Sequence, residues 1–172
     1  MDTEADFFKW YAVHTSSRHE DMVHMRLAAK EIPVFLPKIE KWSTRKDRKK
    51  RIRVPLFNGY LFINVHLDKY TWLHVLKTPG VARIVGNQNE PVPIPDEQID
   101  SIRILLNNDV MLNPFPYLKI GQRVRIVNGP LTGVEGILVK TDPGKNKLVV
   151  SVDLLQRSLS VELNSIDVEP LL

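Results

Sequence analysis

The stretch Asn107 to Tyr117, NNDVMLNPFPY, holds two prolines, three asparagines and no periodic pattern, and it separates two halves of different texture in a chain of 172 residues. Proline lacks the backbone donor that a helix or a central strand needs, and asparagine favours turns, so a domain boundary is expected here. Downstream, Gly121, Gly129-Pro130, Gly133, Gly136 and Pro143-Gly144 punctuate short alternating runs such as Arg123-Val124-Arg125-Ile126-Val127 and Leu148-Val149-Val150-Ser151-Val152. Such spacing indicates a small all-β barrel over 118–172, joined by a linker over 108–117 to an N-terminal domain over 8–107.

The N-terminal half alternates strand and helix patterns. Lys9 to Thr15, KWYAVHT, is aromatic and β-branched and suits a strand. Ser16 or Ser17 can cap a helix with Glu20 at the capping-box position, and Met22, Val23, Leu27 and Ala28 form its apolar stripe up to a stop near Pro33. Val34 to Trp42 and Arg51 to Val65 read as the strands of a long hairpin. A second helix fits Asp68 to Lys77, stopped by Thr78-Pro79-Gly80, and Val81 to Val85 is another strand. After the proline-rich Pro91 to Pro95, Asp96 can cap a third helix in which Ile99, Ile102, Leu105 and Leu106 recur at helical spacing. The fold class is α+β: an antiparallel sheet with helices packed on it, then the β-barrel.

Charge is concentrated in one place. Lys38 to Arg53, KIEKWSTRKDRKKRIR, sets nine basic residues against Glu40 and Asp47, in a chain whose total is only +4. Either the run is a solvated loop that aids solubility, or it meets a polyanion and releases its condensed counterions. There are no cysteines, which removes disulfides and thiolate metal sites. The acidic leader MDTEADFF is unlike a secretory signal, and no apolar run reaches the roughly 20 residues that span a bilayer, so a cytoplasmic protein with no membrane partner is expected.

Gly121 to Gly136, GQRVRIVNGPLTGVEG, resembles the KOW motif, and Leu148 to Leu163 continues it in the style of the NusG family. Lys9 to Val13, Val54 to Phe62 (VPLFNGYLF) and Thr78 to Val81 resemble the N-terminal domain of the same family, so the resemblance runs from about Phe8 to Pro170. It implies a monomeric transcription elongation factor without catalytic activity or cofactor. The N-terminal domain would bind the clamp helices of RNA polymerase, bridge to its gate loop and lie against upstream DNA and the non-template strand. The KOW domain would recruit a small-subunit ribosomal protein or Rho.

Carried over by position, Phe57, Tyr60 and Phe62 match the aromatic patch on the clamp helices, with Ile84 and Ile99 completing the depression; Phe57 and Phe62 could instead fill the domain's own core. Thr71, Trp72 and His74 match the gate-loop region, although Trp72 could equally be a core residue. Arg18, Arg26, Arg45, Lys46, Arg48, Lys49, Lys50 and Arg51 are the nucleic-acid candidates. Asn58 stands where the family usually has proline; Asn-Gly by itself signals a tight hairpin, whereas the family puts the turn in the basic run and a bend at Asn58-Gly59. Leu154, Leu155 and Arg157 are the KOW partner candidates. Leu154-Leu155-Gln156-Arg157 replaces an Ile-Phe-Gly-Arg pattern, which weakens the case for Rho. Trp42-Ser43, the basic run and Val54-Pro55-Leu56-Phe57 are similar to specialised antiterminators of the UpxY and RfaH groups, which act on polysaccharide operons.

Two other classes are weighed against this. An enzyme would need a catalytic constellation, but His19 and His24 are five apart and so lie about 140° apart around a helix, unsuited to one metal. A KOW-type RNA-binding or ribosome-associated module would need a basic barrel, yet residues 118–172 carry seven basic against six acidic side chains.

Overall fold

The computed structural model describes residues 7–44, 50–88, 90–115, 117, 120–142, 145–163 and 168–171. It divides into two compact units, Met1–Ile94 and Pro95–Leu172. The N-terminal unit runs β1 (Lys9–Thr15), α1 (Glu20–Ala29), β2 (Val34–Phe35), β3 (Lys38–Trp42), β4 (Arg51–Pro55), β5 (Tyr60–Val65), α2 (Lys69–Leu76), β6 (Val81–Ile84), β7 (Gly86–Asn87) and β8 (Glu90–Pro91). Its main sheet has the order β2-β5-β1-β6, with every pairing antiparallel. This is the split β-α-β connectivity, in which helices return between strands that are not neighbours.

Strand alternation assigns each side chain to a face. Opposed residues share a side, so Val13 stands with its partners Leu61 and Ile84, and Ala12 stands with Phe62. The first set packs with Val23 and Leu27 of α1 and Val75 of α2 into one core. The opposite side carries an aromatic row: Trp10 to Phe35 at 6.3 Å between centroids, Phe35 to Phe62 at 6.1 Å and Phe62 to Phe57 at 6.0 Å, the last edge-to-face. Trp10, Phe57 and Phe62 are all buried. Burying a side chain of the Phe class contributes about 1.5–3 kcal/mol, so both sheet faces stabilise this unit.

The expected long strands each break in two. Val34 to Trp42 becomes β2 and β3 across Leu36-Pro37, and Arg51 to Val65 becomes β4 and β5 across Leu56 to Gly59. The chain bends at Asn58-Gly59 instead of forming a hairpin there, with Gly59 at φ +81° and its N–H donating to the buried Glu20 carboxylate at 2.8 Å. Glu20 is therefore occupied by this bend and forms no capping box. The helix begins two to three residues later than Ser16 or Ser17 would set it, with His19 as N-cap and Arg18 at φ +60°. β3 and β4 form a separate two-stranded ribbon.

The C-terminal unit comprises α3 (Asp96–Leu106), β9 (Leu112–Phe115), β10 (Arg123–Ile126), β11 (Glu135–Asp142), β12 (Lys145–Val152), β13 (Arg157–Leu163) and β14 (Val168–Pro170), with a short 3-10 turn at Asp153–Leu155. Its six-stranded antiparallel sheet has the order β14-β10-β11-β12-β13-β9. Two features differ from the domain limits drawn from the sequence. The segment expected as a linker contains β9, which tolerates Pro114 because it is an edge strand. The third helix, expected in the N-terminal domain, packs within this unit. The Gln98 side-chain amide donates to the Asp153 carboxylate at 3.1 Å, the Asp153 N–H donates to Gln98 Oε1 at 3.2 Å, and the Glu135 N–H donates to Ser101 Oγ at 2.9 Å. Ile99, Ile102 and Leu105 are buried.

Gly80 closes the turn between α2 and β6 at φ +97°, and a Cβ there would stand 2.7 Å from Val23 Cγ2 in the core. Gly129 at φ +86° has nothing within 4 Å of the same position. Gly80→Ala is therefore expected to cost about 2–4 kcal/mol in a denaturant titration, from both backbone strain and overpacking. Gly129→Ala should cost about 1 kcal/mol, the backbone contribution alone. Equal losses at the two positions would contradict this packing.

Candidate functional site

The N-terminal unit carries two neighbouring kinds of surface, one aromatic and one cationic. In the aromatic row, Phe57 and Phe62 are buried, while Tyr60 is only half-buried and lies 5.1 Å from the His14 ring. Ile84 does not join them. It faces the helices with Val13 and Leu61, on the opposite side of the sheet from Phe62. Ile99 belongs to the other compact unit and is fully buried.

Helix α2 begins at Asp68, whose carboxylate accepts the Thr71 N–H at 2.6 Å. Hydrogen bonds from the Thr71 backbone, then from its side chain, hold the Asp68 carboxyl below its ordinary pKa. Trp72 is half-buried against the core, whereas Tyr70 is exposed and stacks on His74 at 5.8 Å with an interplanar angle of 12°. Thr71 and His74 are half-buried. The α2 end is tied down by Lys30, whose ammonium donates to the His74 carbonyl at 2.9 Å and to Thr78 Oγ1 at 2.8 Å.

The cationic surface centres on the β3–β4 ribbon. Lys38 at its base pairs with Asp21 of α1, and the Leu56 N–H donates to the Pro37 carbonyl at 2.8 Å. Toward the tip, Glu40, Lys41, Trp42, Lys50, Arg51, Ile52 and Arg53 are exposed. Arg45, Lys46, Arg48 and Lys49 lie outside the described residues. Arg51 approaches Glu40 at 3.7 Å, with both side chains more than half exposed, a contact worth about 0–1 kcal/mol that leaves the cation available. Arg18 is exposed, but Arg26 is half-buried and donates to the Pro79 carbonyl at 2.7 Å, which gives it a structural duty. Lys41 and Arg53 belong to the basic run read from the sequence and Trp42 to the same expected hairpin, but none of the three was among the nucleic-acid candidates; the pairing of β3 with β4 brings them together.

In the C-terminal unit, Leu155 is buried, Leu154 is half-buried and Arg157 is exposed. Gln156 between them adopts φ +51°, the left-handed region that glycine occupies most readily. This is the position where the resembling pattern has glycine, so the turn persists without it. A cleft of about 510 Å³ lies between the start of α3 and the sheet, lined by Glu97, Gln98, Arg123, Arg125 and Glu135 among others. Arg125 is paired with Glu135, its cross-strand neighbour on β11.

Among the described residues, no group of three or more His, Asp or Glu side chains is placed to hold a metal ion, and no helix is long and apolar enough to cross a membrane.

Comparison with known proteins matches residues 8–103 to the family described as transcription termination factor nusG. The chain is 31% identical to the transcription termination/antitermination protein NusG of Borreliella burgdorferi, over 90% of this chain and 94% of that one. It is 28% identical to the protein of the same name from Pseudomonas aeruginosa, over 94% of this chain and 97% of that one. Among solved structures, one titled for domain interaction in Thermotoga maritima NusG aligns with a TM-score of 0.56 and 25% identity, covering 96% of this chain and 98% of that one.

The Asp68 cap gives a pH-dependent prediction. Its folded pKa is depressed, so its stabilisation is complete above the unfolded carboxylate pKa and fades as pH falls through the folded value. Asp68→Ala should lower the thermal midpoint at neutral pH, and the gap to the parent should close on acidification. A gap that stays constant down to pH values below the carboxylate range would contradict the cap.

Proposed function

Because the chain belongs to the NusG family of transcription termination and antitermination factors, we propose that it is a non-catalytic elongation factor that binds RNA polymerase through its N-terminal unit. Support comes from a family match over residues 8–103, combined with an exposed cationic ribbon in the same unit. In this reading Tyr60 is the accessible anchor for the clamp helices, with Phe57 and Phe62 packed beside it to fix its position. Aromatic anchors of this kind dominate the energy of protein interfaces. The outer side of α2, around Thr71, Trp72 and His74, bridges to the gate loop. Bridging keeps the clamp closed and suppresses pausing.

Arg18, Lys50, Arg51 and the sequence-adjacent cations of the ribbon lie against upstream and non-template DNA, where each phosphate contact releases counterions. The C-terminal unit recruits a partner through Leu154 and Arg157, a small-subunit ribosomal protein being the best fit to an apolar side chain beside a cation. The chain acts in the cytoplasm, as a specialised antiterminator in the manner of the UpxY and RfaH groups. A housekeeping role that couples polymerase to the ribosome or to Rho is the second reading, favoured by the termination/antitermination names of the relatives.

Single-round transcription on a long template with the cognate polymerase separates these readings. The parent protein should increase read-through of pauses and Rho sites, and Tyr60→Ala should remove most of that effect while leaving the thermal midpoint nearly unchanged. Increased Rho termination would assign the housekeeping role. No effect of the parent protein on pausing or termination would overturn the elongation-factor reading.

A further inference from the structure

The register of the β3–β4 ribbon sorts its side chains into two faces. Trp42 opposes Arg51, Glu40 opposes Arg53 and Lys38 opposes Pro55, so these share one face, while Ile39, Lys41, Ile52 and Val54 take the other. Trp42 is 60% exposed. The Arg51 guanidinium carbon lies 5.3 Å from the ring centroid, a cation–π contact that biases the orientation of the ring. Arg51 lies over the ring and most of the residue stands in solvent, which leaves ring surface accessible. An exposed indole in contact with Arg51 and bordered by Arg53 on the same ribbon face is more organised than a solubilising loop requires.

We propose that Trp42 is a stacking platform for an unpaired base of single-stranded nucleic acid, with Arg51 and Arg53 of the same face holding the flanking phosphates. The charge of the ribbon selects the occupant. Lys38, Lys41, Lys50, Arg51 and Arg53 stand against Glu40 alone within the described part, which disfavours a basic or purely apolar partner. An acidic peptide would satisfy the cations but offers the indole no extended π surface. A duplex offers phosphates, yet keeps its base faces stacked inside. A single strand supplies both groups, and each stacked base is worth enough to change affinity about 5- to 150-fold. The cation–π contact with Arg51 adds to the platform by restraining the ring before the base arrives.

This deepens the DNA-facing role given to the ribbon above, and it can be tested without polymerase. The full chain is titrated into labelled oligothymidylate, a duplex of equal length and linear polyphosphate at several salt concentrations. The wild type is expected to bind the single strand more tightly than the duplex. Trp42→Ala should weaken the single strand about 5- to 150-fold with little change in the salt slope, because the phosphate contacts remain. Polyphosphate binding should be unaltered, Trp42→Phe should stay within about threefold of wild type, and the melting of both variants should match the parent because the ring is exposed. Less than about a twofold loss in Trp42→Ala, equal losses for single strand and polyphosphate, or preference of the wild type for duplex would each overturn the stacking role. The transcription result with Tyr60→Ala is independent of this outcome, so failure of the platform and failure of the elongation-factor reading are distinguishable.

Discussion

Antiparallel pairing of β1 with β5 is the constraint on which the N-terminal unit depends. Along these strands one set of residues, Val13, Leu61 and Ile63 among them, feeds the helix-side core, and the alternate set, Trp10, Ala12 and Phe62, feeds the aromatic row. A slip of one residue would exchange the two sets and press aromatic rings into space shaped for aliphatic side chains. The register is therefore fixed by packing on both sides. It also fixes Tyr60 at the start of β5 and His14 opposite it, at the margin where the row meets solvent.

With much of both sheet faces committed to packing, the main sheet offers room for only a few basic residues, such as Lys9 and Arg83. The basic run is gathered on the ribbon that leaves it, where exposure removes the desolvation cost of so many like charges. Bends at Pro37 and at Asn58-Gly59 release β3 and β4 from the main sheet, and the Glu20 carboxylate fixes the second of these by accepting the Gly59 N–H. A charge-assisted hydrogen bond of that type contributes about 1.5–3 kcal/mol, enough to outweigh the capping role that the same glutamate would have had at the helix start. The direction in which the cations are presented thus follows from a backbone bend.

Local pattern carried much of this into the sequence. The alternation of KWYAVHT and the apolar residues of the first helix depend on near neighbours, and both elements form, although only Val23 and Leu27 of the expected stripe are buried while Met22 and Ala28 are exposed. The bend at Asn58-Gly59 was legible only through family resemblance, because Asn-Gly considered alone points to a hairpin. Other features rest on distant partners that no local pattern reveals. Glu20 meets Gly59 instead of capping its own helix, Arg26 reaches Pro79, and Gln98 finds Asp153, which draws α3 into the C-terminal unit. Leu112 to Phe115 gave no strand signal because its proline and asparagine suggested a linker, yet an edge position removes the objection to Pro114. Placing Ile84 beside Phe62 failed on strand register, which depends on the pairing of β1 with β6 and not on the sequence of either strand alone.

The central claim is that an aromatic-anchored unit sits on the transcribing polymerase and holds its cationic ribbon against DNA. The most direct measurement is photocrosslinking from a reactive residue installed at the exposed Thr44, close to the ribbon tip, in a halted elongation complex. Crosslinks to the non-template DNA strand, lost when Tyr60→Ala releases the protein from polymerase, are the predicted result. Crosslinks only to RNA or to protein, or DNA crosslinks of equal yield in the absence of polymerase, would contradict the account.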